Sequence, residues 1–271
     1  MRGLFTCGVL DVFMEQGITF DGAAGISAGA VFGCNYKSRQ PGRALRYNKR
    51  YSRDPRYCSL WSLLTTGDLY GVEFCYHELP DKLDVFDRET FTRNPMAFYV
   101  GATDVETGEA CFHLCKDGGA DDIAWIRASA SMPLASRPVE AGGRLLLDGG
   151  IADPVPYRYM EGLGYDRNVI VLTQPKGFVK KKSKAEPLLN RALHEYPAIV
   201  GAMAARHELY NRQLCEIGER EDAGSALVIR PPLSLGIHRT EKDPETLQSV
   251  YELGRAVAAQ RVDDVVRFFS M

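Results

Sequence analysis

Leu4, Phe5, Val9, Leu10, Val12 and Phe13 fall at helical spacing and Gly17 follows them as a stop, so the chain is expected to open on a helix. Residues 18–26 then form a compact apolar run, Ser27 interrupts it, and 28–36 returns to a helical pattern. That succession predicts a strand, a sharp turn and a second helix. Gly and Ala crowd both flanks of Ser27, as a strand feeding tightly into a helix requires. Positions 43–94 are rich in Tyr, Arg and Asp with weak periodicity, and predict only helices and loops without assignable ends. Segments 97–105 and 109–115 read as two strands around Glu106-Thr107-Gly108, a hairpin signal. A helix is expected over 123–131, ended by Pro133. Residues 144–147 read as a short strand running into Asp148-Gly149-Gly150, and 168–173 as a buried strand closed by Pro175. Strands alternating with helices imply an α/β fold with a mostly parallel, helix-covered sheet.

The composition changes after 175. Lys176, Lys180, Lys181, Lys182 and Lys184 crowd a stretch that also holds Gly177 and Pro187, and this marks the expected boundary between a domain at 1–175 and a helix-rich extension at 176–271. Beyond it two long helices are expected, 197–220 and 244–269, separated by a strand at 226–230. Ile199, Met203, Tyr210, Leu214 and Ile217 share a face of the first; Leu247, Val250, Val257, Val265 and Phe268 stripe the second.

Composition narrows the class of protein. A hydrophobic fraction of 45%, a charged fraction of 25% and a net charge of -2 over 271 residues describe a folded globular chain without the field needed to bind nucleic acid. No signal-peptide pattern opens the chain, and the uncharged stretch between Asp21 and Lys37 is too short and too weakly apolar to span a bilayer. Seven scattered cysteines without a Cys-x-x-Cys pair fit a reducing, cytoplasmic location. Cys111, His113 and Cys115 form a short cluster. It is read as strand, with the cysteines on one face and His113 on the other, in preference to a metal site, because zinc needs about four ligands and no second cluster accompanies it.

Gly25-Ile26-Ser27-Ala28-Gly29 has the Gly-x-Ser-x-Gly form of an elbow that presents a nucleophile between strand and helix. At that helix start Ser27 would feel the positive end of the macrodipole, and the amide of Ala28 is placed to donate to an oxyanion. The serine needs a base. Of the five histidines, His77, His113, His194, His207 and His238, none sits in a turn-rich loop directly after a strand. Asp148 does: it ends an apolar strand and two glycines follow, so its carboxylate is expected at the sheet edge where open α/β folds place ligands. A carboxylate with a reference pKa about 3 units below neutrality is a weak base, and must be desolvated and in hydrogen-bond reach of the hydroxyl. The alternative is an aspartate that only stabilises its own turn.

With Ser27 and Asp148 in these places the chain resembles the patatin-like phospholipases, including bacterial members. That family has a serine in a Gly-x-Ser-x-Gly turn soon after the first helix and an aspartate in an Asp-Gly-Gly or Asp-Gly-Ala turn. Ala102-Thr103-Asp104 leading to Thr107-Gly108, Ala128-Ser129-Ala130-Ser131-Met132-Pro133, and Asp148-Gly149-Gly150 through Pro156 extend the likeness over about 1–175. The resemblance implies a three-layer α/β/α core and a serine acyl hydrolase acting through a Ser27–Asp148 dyad and an acyl-enzyme. The implied substrate is a lipid or other acyl ester, with no metal or organic cofactor. Gly25, Gly29, Gly149 and Gly150 are its turn glycines. The family's oxyanion loop, Gly-Gly-Gly-x-Arg-Gly after a first strand, is matched only by Arg2 and Gly3. Oxyanion stabilisation is therefore expected to be impaired, and the natural reading frame is expected to start upstream of Met1. Ser129 and Ser131 are read as packing or pocket lining, and Asp153 as support for its turn. The lysine cluster is read as a solvated linker rather than a contact for anionic lipid headgroups, so membrane contact, if made, is expected to be transient. A silent lipid-binding scaffold and an acyltransferase or thioesterase remain as rival readings.

Overall fold

The computed structural model describes residues 1–183 and 186–270, so Lys184 of the lysine cluster lies outside the described residues. In chain order the elements are α1 (Gly3–Glu15), β1 (Gly22–Ile26), α2 (Ala28–Lys37), α3 (Arg43–Tyr51), α4 (Leu60–Thr66), a π-helical segment (Phe74–Leu83), α5 (Arg88–Arg93), β2 (Ala97–Asp104), β3 (Ala110–Cys115), α6 (Ala120–Ser129), β4 (Val139–Ala141), β5 (Arg144–Asp148), α7 (Tyr157–Gly162), β6 (Asn168–Val171), α8 (Glu186–Ala192), α9 (Pro197–Asp222), β7 (Ala226–Ile229), α10 (Pro244–Ala259) and α11 (Val262–Ser270). The first helix ends as its sequence predicts. Gly17 takes a positive φ of 67°, and Ile18 and Gly17 donate back to the carbonyls of Phe13 and Met14.

The sheet is mixed rather than mostly parallel. In the five-stranded sheet only β1 and β2 are parallel; β3 and β5 both run antiparallel to β2, and β4 antiparallel to β5. A separate parallel pair joins β6 and β7. Connection length accounts for two of these pairs: a parallel neighbour needs a crossover of a dozen residues or more, whereas β2–β3 and β4–β5 are closed by short turns. Gly142 and Gly143, with φ of 58° and 71°, make the second of these a tight hairpin that sequence reading left out.

This mixture positions the site. β1 pairs with residues 97–101 of β2 and β5 with residues 102–104, while β3 spans 98–103, so β1 and β5 must share the opposite edge of β2. Running in opposite directions, their carboxyl ends meet head to head: Ile26 pairs with Gly101, and Asp148 with Ala102, the next residue along. Two residues distant in sequence are thereby delivered to one point.

Helices cover both faces. Phe98, Val100, Ala102 and Leu146 pack with residues of α2 and α6 in the main core. On the other face Tyr159 of α7 stacks on Phe112 at 3.7 Å, and Leu147 packs with Leu189 of α8 and Ile199 of α9. The C-terminal helices are joined to the N-terminal one: α10 lies so close to α1 that a Cβ on Gly8 would meet the Tyr251 carbonyl at 2.1 Å, and one on Gly254 the Phe5 carbonyl at 2.0 Å. The single helix expected over 244–269 is two, broken at Gln260 and Arg261, which lets Val265 and Phe268 turn inward. Cys111, His113 and Cys115 correct a second expectation. Residues two apart on a strand share a face, so all three lie together, His113 stacking on Trp125 of α6 with ring centroids 5.1 Å apart.

Candidate active site

Ser27 sits between β1 and α2 with φ 55° and ψ −118°, a conformation that L-residues rarely adopt. Its surroundings hold it there. The Ser27 amide donates to the Ser129 hydroxyl at 2.9 Å, and that hydroxyl donates to the Gly101 carbonyl at 2.6 Å. The Ser27 carbonyl accepts from the amides of Ala30 and Val31, starting α2. The amides of Ala28 and Gly29 have no hydrogen-bond partner among the described residues, as expected for the first turn of a helix.

The Ser27 hydroxyl donates to Asp148 Oδ2 at 2.7 Å. Asp148 is 2% exposed, and its other oxygen accepts the Gly150 amide at 2.8 Å. Its backbone is pinned by the Ala128–Pro133 block: the Asp148 amide donates to the Ser131 carbonyl at 2.8 Å, and the Gly149 amide to the Ser129 carbonyl at 3.2 Å. Thr103 donates its hydroxyl to the Asp148 carbonyl at 2.9 Å. Burial raises the Asp148 pKa above the ordinary aspartate value; the Ser27 hydroxyl, the charge of Arg206 and the Gly150 amide act against it. Ser129 is thus more than packing, since it anchors both the strained serine and the aspartate turn.

The predicted glycines differ in what they do. A Cβ on Gly25 would meet the Gly29 carbonyl oxygen at 2.5 Å, and one on Gly149 the Gly101 carbonyl oxygen at 2.2 Å, both backbone collisions. A Cβ on Gly150 would crowd the Asp148 carboxylate at 3.0 Å and the Arg206 guanidinium at 3.1 Å. Gly29 meets nothing within 4 Å and faces the cavity. Gly3 is held against α2, where a Cβ would lie 2.8 Å from that of Ala28, and Arg2 caps α1 beside it. Arg2, Gly3, Ser27, Ala28, Gly29 and Asp148 all line one cavity of about 1210 Å³.

Sequence reading missed Arg206. It comes from α9, donates Nε to the Gly150 carbonyl and lines the same cavity, as do Lys180, Tyr210 and Arg239. No local signal groups these residues: Arg206 and Tyr210 reach the cavity from α9, Lys180 from the lysine-rich stretch and Arg239 from the loop before α10. Asp153 also reaches α9, accepting from Gln213 at 2.7 Å. The stretch around Lys180 is tied down rather than free: the Asn211 side chain accepts the Lys180 amide at 2.7 Å and donates to its carbonyl at 3.0 Å.

Among the described residues no histidine bonds to Ser27 or Asp148. His207 bonds to the Ala204 carbonyl of its own helix at 3.0 Å, His194 to that of Arg191, and His238 lines the cavity wall. His113, Cys115 and Asp122 bring one ligand atom each within 4.8 Å of one another. The Asp122 carboxylate is already engaged there, bonding His113 at 2.7 Å and accepting the amides of Lys116, Asp117 and Gly118, an arrangement that closes the β3–α6 loop.

Comparison with known proteins finds relatives of this chain. An uncharacterised NTE family protein of Mycobacterium tuberculosis is 28% identical over 211 residues, covering 76% of this chain and 56% of that protein. The uncharacterised protein YjjU of Escherichia coli is 32% identical over 184 residues, 64% of this chain and 49% of its own. A protein named lysophospholipase nte1 in Aspergillus oryzae is 25% identical over 278 residues, 94% of this chain and 17% of its own. The chain thus spans about half the length of the bacterial relatives. Residues 196–270 match a domain of unknown function, DUF6363. Residues 1–160, which carry Ser27 and Asp148, match the patatin-like phospholipase family, and the chain belongs to that family.

Proposed function

We propose that the protein is a serine acyl hydrolase that cleaves carboxylic esters of lipids through Ser27 and Asp148. The observation that carries this reading is the 2.7 Å hydrogen bond from the Ser27 hydroxyl to a buried carboxylate. Asp148 takes the hydroxyl proton as Ser27 attacks the ester carbonyl, then returns it to the departing alcohol. Water, deprotonated by the same carboxylate, attacks the acyl-enzyme and releases the acid, and the carboxylate returns the proton to the Ser27 oxygen. The unpartnered amides of Ala28 and Gly29 at the start of α2, with Gly3 of α1 packed against Ala28 and Arg2 lining the same cavity, supply positive potential for the oxyanion. No step needs a metal or organic cofactor.

A lipid substrate suits the surroundings. Leu60, Trp61 and Leu64, exposed by 73%, 74% and 81%, share one side of α4 and form an apolar surface fit for transient contact with a membrane. Among the described residues no helix is long and apolar enough to cross one. Hydrolysis of p-nitrophenyl butyrate tests the reading: Ser27→Ala is expected to abolish turnover and Asp148→Asn to reduce kcat by roughly 10² to 10⁴. Turnover that survives both changes would refute it. Release from thioesters at least as fast as from oxyesters would favour a thioesterase on the same two residues.

A further inference from the structure

Arg2, Lys180, Arg206 and Arg239 line the cavity that holds Ser27 and Asp148, and they come from four separated parts of the chain. None forms an ion pair with a carboxylate within 4.0 Å among the described residues, although most arginines of the fold do. Structure alone does not account for them. Arg206 holds the Gly150 carbonyl and Arg239 touches the Met132 sulfur at 3.5 Å, but these contacts need no cluster of like charges. The charges oppose one another: the Lys180 ammonium is pushed down to about 8, by burial first and then by Arg206, Arg239 and Arg2. Lys180 is nevertheless fixed in place, its backbone held by Asn211 and its ammonium 5.4 Å from the centre of the Tyr210 ring.

The other carboxylates along the cavity do not neutralise this group. Asp68 is taken by Arg127 at 3.5 Å and by the Arg137 amide at 3.1 Å. Asp21 precedes β1 and so lies at the opposite end of that strand from Ser27. Guanidinium groups match phosphate oxygens in charge and geometry, and a glycerol backbone places a phosphate a few bonds from the ester carbonyl. A headgroup ammonium would find only Asp148, whose two oxygens are already taken by Ser27 and Gly150, and the Tyr210 ring already carries Lys180.

Resting on the hydrolase reading above, we propose that Arg2, Lys180, Arg206 and Arg239 form a phosphate subsite beside Ser27, selecting acyl esters whose headgroup is an anionic phosphate without an ammonium group. Three lipids of one acyl chain separate the possibilities: lysophosphatidate, lysophosphatidylcholine and monoacylglycerol. The expected kcat/KM for lysophosphatidate exceeds the other two by at least about 10-fold, and Arg239→Gln and Lys180→Gln each shrink that ratio several-fold. A ratio near one in the unmodified chain, or one unchanged in both variants, overturns the proposal. Calorimetric titration of the Ser27→Ala chain, below the critical micelle concentration, reads the subsite without catalysis. Lysophosphatidate is expected to bind more tightly than monoacylglycerol, glycerol 3-phosphate or inorganic phosphate, and to lose affinity with Arg239→Gln. If the unmodified chain cleaves none of the lipids while this binding persists, the hydrolase reading fails and the subsite stands. If inorganic phosphate binds as tightly as the lipid, the headgroup assignment fails.

Discussion

The Ser129 hydroxyl accepts the amide of Ser27 at 2.9 Å while donating to the Gly101 carbonyl on the neighbouring strand. It ties the strained elbow to the centre of the sheet and never touches the reacting oxygen. Ser129→Ala leaves two backbone groups without their partner, a cost of about 1–3 kcal/mol. The expected result is a melting temperature lowered by several degrees and a kcat reduced with little change in KM, measured by thermal melting and steady-state kinetics on the same preparation.

Gly25 and Gly29 are equivalent in the pentapeptide and different in space. Gly25→Ala would drive a methyl against the Gly29 carbonyl at 2.5 Å and the Ala30 Cα at 2.8 Å, and is expected to cost about 1–3 kcal/mol, as overpacking does. Gly29→Ala points into open space and is expected to leave stability within about 0.5 kcal/mol. Denaturant unfolding of the two variants checks the contrast.

The pH dependence follows from Asp148. It must be ionised to take the serine proton, and burial raises its pKa, so activity is lost as pH falls through a value above the ordinary aspartate range of about 4. Arg206 favours the ionised form. Arg206→Met therefore moves the acid limb of the kcat/KM profile to higher pH, while Arg206→Lys restores part of the shift. An acid limb that does not respond to either change would remove Arg206 from this role.

Much of the core was legible because its signals are local. The Gly17 stop, the elbow around Ser27, the 97–105 and 109–115 hairpin and the Asp148 turn each declare themselves within a few residues. Strand direction was not legible in the same way. The short β4 and its Gly142-Gly143 hairpin carry little apolar pattern, and without them β5 reads as one more parallel strand. The cations were passed over for another reason. Arg206 and Lys180 look like surface charges in a helix and a basic stretch, and only the packing of α9 against Gly150 and Asn211 against Lys180 turns them toward Ser27. The shared face of His113 and Cys115 was a misapplied period: positions two apart point the same way on a strand.

The most direct measurement is intact-mass analysis after treatment with a fluorophosphonate, followed by peptide mapping. The account predicts one adduct per chain on the peptide containing Ser27, lost in Ser27→Ala, strongly slowed in Asp148→Asn and unaffected by His207→Ala. Labelling that maps to another residue, persists undiminished in Asp148→Asn, or disappears with His207→Ala would contradict it.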